Sequence, residues 1–157
     1  MDKQNLEKSK KLAKDITKEL LKKLDIEAKI KGSTLEDSVK VDIEGEDLGL
    51  LIGYHGETLE SLQLIVSLLV NNKLEGEWVP ISLDIGGWKE ERSESLRNLV
   101  EKVTSEVKDT NKEVALQPMS SQQRRMVHLI LSDYPELTSV SEGEEPNRRV
   151  VIKKAES

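Results

Sequence analysis

The 157-residue chain predicts an α+β fold in two consecutive modules, and three observations carry that prediction. Some segments repeat apolar residues at helical spacing, whereas others alternate apolar with polar. The two patterns interleave, so neither an all-helical nor an all-strand architecture fits. A Gly86-Gly87 pair then interrupts them just past mid-chain, where a joint between modules is expected. The first module is placed at residues 1–87 and the second, with its leading helix, at 88–157.

In the first module Leu6, Leu12, Ile16, Leu20 and Leu24 form one apolar stripe, so the first two dozen residues make an amphipathic helix. Ile26, Ala28 and Ile30 alternate with Glu27, Lys29 and Lys31, which predicts a strand, followed by a turn at Gly32-Ser33. Val39, Val41 and Ile43 predict a second strand, antiparallel to the first. A short helix from Glu46 leads to the turn Gly53-Tyr54-His55-Gly56. The helix after it covers residues 57–71 and directs Leu59, Leu62, Val66 and Leu69 inward. Val79, Ile81, Leu83 and Ile85 predict a third strand, and Pro80 favours an edge or strand-start position.

The second module opens with a helix over residues 88–107 whose buried stripe is Leu96, Leu99, Val100, Val103 and Val107. Residues 109–112 are polar and read as a loop. A short strand at 114–116 and a helix at 121–132 follow. Strands at 137–141 and 149–152 are joined by a hairpin that carries the turn residues Gly143 and Pro146.

Composition limits the chemistry. The absence of cysteine excludes disulfides, thiolate metal sites and cysteine nucleophiles. No apolar run is long enough to span a membrane, and the charged N-terminus lacks the apolar core of a signal peptide, so a cytoplasmic location is expected. With no Phe and few aromatics, the core must be built from Leu, Ile and Val. The net charge of −6 is unevenly spread. No Lys or Arg occurs between Val41 and Asn72, while Arg148, Arg149, Lys153 and Lys154 fall in an acid-free stretch. The first helix carries eight lysines against four acids, which reads as a solvated face.

The turn at 53–56 is the first candidate site. Its glycines remove Cβ atoms that would hold another backbone away, and the helix behind it starts with unpaired N–H donors. A sugar-phosphate strand can lie against such a surface, although any tight turn between helices can also use two glycines. Residues 50–59, Leu-Leu-Ile-Gly-Tyr-His-Gly-Glu-Thr-Leu, with Leu62-Gln63 after them, decide between the two. Together with the order helix, strand, strand, helix, helix, strand, they resemble the prokaryotic, type II KH domain, which clamps single-stranded nucleic acid with its Gly-x-x-Gly loop.

Arg124 and His128 form the second candidate, four residues apart and on one helix face. As an isolated pair they would be unremarkable. Their surroundings, Glu113 to Met119 before them and Ser141 to Ile152 after them, with Gly143, Pro146 and Arg148-Arg149 among the latter, closely resemble the domain named for its Arg-x-x-x-His motif, the R-three-H domain. A KH domain followed by this one resembles the bacterial Jag family. The resemblance implies an RNA-binding protein of the bacterial cytoplasm, acting after transcription on cell elongation and division, with no cofactor. It also implies a small single-KH protein as partner, and a second copy of the chain is an alternative. Carried over by position, the RNA-binding residues are Gly53, Tyr54, His55 and Gly56, then Arg124, Arg125, His128, Arg148 and Arg149.

Two departures qualify the expectation. Many family members carry a further N-terminal domain, whereas this chain starts almost at the KH helix and reads as a short form. KH loops usually carry Lys or Arg at the two central positions, and here these are Tyr54 and His55. The R-three-H face is therefore expected to supply most of the electrostatic affinity, and the KH turn to position the strand. The competing reading is a protein-interaction scaffold whose acidic KH surface holds a protein partner. An enzyme is not supported: the two histidines lie on different modules, and no nucleotide-binding loop or acid–base pair stands out.

Overall fold

A computed structural model of the chain describes residues 3–74 and 76–155. Its contacts divide into two compact units that meet at Lys89/Glu90. The first contains α1 (Lys3–Lys23), β1 (Lys29–Thr34), β2 (Val39–Glu44), α2 (Gly49–Ile52), a 3₁₀ turn at Tyr54–Gly56, α3 (Glu57–Lys73) and β3 (Ile81–Ile85). Helix α4 (Trp88–Thr110) begins in it, and the second unit adds β4 (Val114–Ala115), α5 (Ser121–Leu131), β5 (Leu137–Glu142) and β6 (Arg149–Lys154). The α+β class and the order of elements agree with the sequence pattern.

In the first unit the sheet order is β1-β2-β3, with β1 antiparallel and β3 parallel to the central β2. A parallel neighbour needs a crossover, and α2, the turn and α3 provide it. Val39, Val41 and Ile43 of β2 and Ile81, Leu83 and Ile85 of β3 face a core completed by α1 and α3. The predicted turn at Gly32-Ser33 is corrected: both residues lie inside β1, paired with Val41 and Lys40, and the chain reverses over 35–38, where Leu35 N–H donates to Ser38 O at 2.8 Å. The glycine serves close approach instead, since a Cβ on Gly32 would lie 2.8 Å from Lys14 Cδ. The first strand accordingly starts at Lys29 rather than Ile26.

β3 is an edge strand, and α3 covers its open side with polar side chains. Asn71 bonds both the N–H and the carbonyl of Val79, Ser67 Oγ donates to Ile81 O, and Gln63 Oε1 accepts from Leu83 N–H at 3.0 Å. The match is geometric: four helical residues rise about 6 Å and two strand residues about 6.6 Å. One helix face thus satisfies an edge that would otherwise invite another chain.

The second unit has the antiparallel order β4-β6-β5. Its core gathers Leu96, Val100, Val103 and Val107 of α4 with Val127, Ile130 and Leu131 of α5 and Val150 and Ile152 of β6. Three predicted core residues, Leu24, Leu69 and Leu99, are exposed instead. In each case a residue one to three positions away takes the inward place: Leu21, Val70, and Leu96 with Val100. A 3.6-residue period leaves the flank of an apolar stripe ambiguous until the packed neighbour is known. α4 also runs on through Thr110, so the predicted loop shrinks; Asn111 with φ 56° ends the helix. At α5 a capping box fixes the start, with Ser120 Oγ accepting from Gln123 N–H and Gln123 Oε1 accepting from Ser120 N–H.

Candidate nucleic-acid interface

The turn at 53–56 is built by three positive φ angles: 71° at Gly53, 52° at His55 and 88° at Gly56. Glycine adopts such angles without steric cost, which explains the flanking pair. Their missing side chains, however, point into the protein. A Cβ on Gly53 would fall 2.0 Å from Thr58 Oγ1, and one on Gly56 2.3 Å from the Trp88 ring. The glycines thus admit the protein's own Thr58 and Trp88, a correction to the expectation that they clear space for a ligand backbone. Tyr54 is exposed and His55 half-buried, their rings edge to face with centroids 4.0 Å apart. Behind them α3 begins at Glu57, with Gly56 at its N-cap position and no side-chain cap. Glu57 and Glu60 occupy its first turn, where they favour the helix dipole and repel phosphate.

Beside this turn the first residues of α4 are tied to the same unit. Asp84, buried on β3, accepts from the N–H groups of Ile85 and Lys89, and its second oxygen lies 3.7 Å from Lys40 Nζ. Lys89 Nζ donates to Gln63 Oε1 at 2.6 Å. Burial pushes the Lys89 ammonium below its ordinary pKa, whereas the hydrogen bond between Lys40 and Asp42 raises that of Lys40.

In the second unit the i, i+4 spacing directs Arg124 and His128 toward the β5–β6 hairpin. Arg124 is buried. Its Nη1 donates to Met119 O and its Nη2 to Glu145 Oε1, each at 2.7 Å. His128 lies between two hydroxyls of β5, with Nδ1 2.7 Å from Ser139 Oγ and Nε2 3.0 Å from Ser141 Oγ. Met119 completes the join, since its N–H donates to Arg148 O. The motif pair therefore stitches α5 to the hairpin. Arg125, Arg148 and Arg149 are exposed and make no ion pair among the described residues.

Sequence reasoning placed the turn and the motif helix but missed Trp88, Thr58, Ser139, Ser141 and Glu145. Trp88 offered a signal, being a rare aromatic directly after Gly86-Gly87. Ser139 and Ser141 sit two apart on one strand face, the spacing a single ring needs to reach both. Glu145 is one of three acids in the hairpin and gave no signal of its own. Among the described residues no cluster of His, Asp or Glu would hold a metal ion, and no helix is long and apolar enough to cross a membrane.

Comparison with known proteins fits this geometry. Residues 10–81 match the KhpA/KhpB KH domain model and residues 94–154 the R-three-H domain model. A Clostridium symbiosum protein named RNA-binding protein KhpB is 36% identical over 127 residues, covering 81% of this chain and 57% of the relative. The Bacillus subtilis protein of that name is 34% identical over 117 residues, 73% of this chain and 56% of the relative. That of Streptococcus pneumoniae is 31% identical over 129 residues, 82% of this chain and 39% of the relative. The chain thus spans between about two fifths and three fifths of these relatives' lengths. Matched in order by both domain models and aligned with these relatives over most of its own length, the chain belongs to the KhpB, or Jag, family of tandem KH and R-three-H proteins.

Proposed function

We propose that this chain binds single-stranded RNA, holding phosphates with the free arginines of the second unit and seating the strand on the main chain of the KH turn. The carrying observation is that Arg125, Arg148 and Arg149 are exposed and make no ion pair among the described residues, on the helix and hairpin that Arg124 and Glu145 join. At the turn, the exposed Tyr54 ring offers a stacking face beside the start of α3, which no side chain caps. The relatives' name, RNA-binding protein KhpB, supports the reading. In the cell the binding would act in the cytoplasm, after transcription, on elongation and division, as the family resemblance implies. Anisotropy titrations of a short labelled RNA across a salt series test it. Replacing Arg125, Arg148 and Arg149 by Ala should flatten the log–log salt slope by about 2, from about 0.7 per lost phosphate contact on a single strand. An unchanged slope and affinity would refute the assignment.

A protein partner is favoured by a separate observation. Leu64, Ile65, Leu68 and Leu69 of α3 are 40% to 59% exposed and form one stripe. We propose that it packs against a second KH module, either another copy or a small single-KH protein. Leu68→Glu should abolish any concentration-dependent growth in mass measured by sedimentation. An unchanged profile in the presence of such a protein would rule the stripe out.

A further inference from the structure

We infer that Glu145 is an internal stand-in for an RNA phosphate: its carboxylate fills the anion site of Arg124 and must leave when a strand docks. This rests on the proposed RNA binding at the arginine cluster and adds the residue that sets its strength.

The pairing is lopsided. The Arg124 side chain is only 10% exposed, whereas that of Glu145 is 59% exposed. A guanidinium so buried needs an anion, because an unpaired charge in a low-dielectric site is costly. Its Nη1 is spent on a neutral carbonyl, so Glu145 is the only ion-pair partner of Arg124 among the described residues. The contact runs through one nitrogen and one oxygen, not the two-pronged arrangement in which guanidinium binds carboxylate or phosphate best. A phosphate can therefore better it.

The Glu145 carboxylate belongs to the hairpin that also carries Arg148 and leads into Arg149. The Arg148 main chain is joined to the same spot through Met119, whose N–H donates to the Arg148 carbonyl and whose carbonyl accepts from Arg124 Nη1. Arg125 follows Arg124 on α5, and Arg149 begins β6. A strand held by these three free cations reaches Arg124 only by displacing Glu145. Residues 142–149 are all exposed, so the carboxylate can swing into water without opening the core. Glu142 and Glu144 lie on the same hairpin and add repulsion, but neither pairs with Arg124 among the described residues.

The test compares wild type, Glu145→Gln and Glu144→Gln for binding a labelled single-stranded oligoribonucleotide across a salt series. Both variants remove one negative charge from the hairpin, but only the first frees Arg124. Glu145→Gln should tighten binding on the order of fivefold and steepen the salt slope by about 0.7, the increment of one further phosphate contact. Glu144→Gln should give a smaller gain and no added contact. In an Arg124→Gln background the advantage of Glu145→Gln should vanish. Because the expected change is a gain, loss of folding cannot imitate it. Equal gains in the two variants would reduce Glu145 to general repulsion and overturn the inference. Weaker or unchanged binding by Glu145→Gln, with wild type still binding, would make the pair a structural fastener and also overturn it. If neither wild type nor Glu145→Gln binds RNA, the underlying RNA assignment fails, and this inference with it.

Discussion

The KH turn and the helix–hairpin junction of the second unit are built from opposite materials. The turn is a main-chain device with no cation in its sequence neighbourhood and two acids in the following helical turn. The helix–hairpin site is a side-chain device with three free arginines and a buried fourth. Yet their signature residues behave alike. Gly53 and Gly56 make room for Thr58 and Trp88, and Arg124 and His128 fasten α5 to the hairpin. In both places the motif residues face inward, and the groups exposed at the surface are their neighbours, with Arg124 covered by Glu145. A motif thus marks where a surface is built, which is not the same as which atoms touch the ligand.

The comparison can be broken most sharply at Gly56. Alanine there meets the Trp88 ring and takes a strained φ, so Gly56→Ala should cost about 2–4 kcal/mol in denaturant unfolding. If the ring contact is the cause, Gly56→Ala should cost less in a Trp88→Ala background. Equal costs in both backgrounds would leave only backbone strain. A smaller loss is expected at the other fastener. His128→Ala removes two hydrogen bonds to half-buried serines, for about 1–2 kcal/mol of stability, without touching the free arginines. Its RNA salt slope should therefore stay near that of wild type, and a large drop would return His128 to the ligand-contacting set.

The smallest effect concerns an exposed pair in the second unit. Lys108 Nζ lies 2.5 Å from Glu136 Oε1 and holds its carboxyl below the ordinary value of 4.5. A lowered carboxyl pKa means that the pair contributes stability above pH 4.5, and that this is lost as pH falls through the folded value. Lys108→Met should raise the Glu136 pKa toward 4.5 in an NMR titration with almost no change in stability at neutral pH. An unmoved titration would mean that the backbone hydrogen bond, the next cause, holds the carboxyl down.

Much of this architecture is written locally. Val39, Val41 and Ile43 announce a half-buried strand, because alternation is a property of a few consecutive residues. The positions of the turn and of Arg124/His128 are legible for the same reason. Gly32 was misread because a glycine's need for space looks identical whether a turn or a packed lysine creates it. Leu69 was misread because the edge of a helical stripe is settled by what packs against it.

By itself, then, the sequence determined the α+β class, the order of elements, the aliphatic core and the places where two motifs would surface. Tertiary structure alone decided which way those motifs point. The orientation of Gly56 depends on Trp88, 32 positions away, and the freedom of Arg124 depends on Glu145, 21 positions away. Period and capping read over one or two turns of chain, whereas a buried charge or a missing Cβ is defined by whatever folds against it.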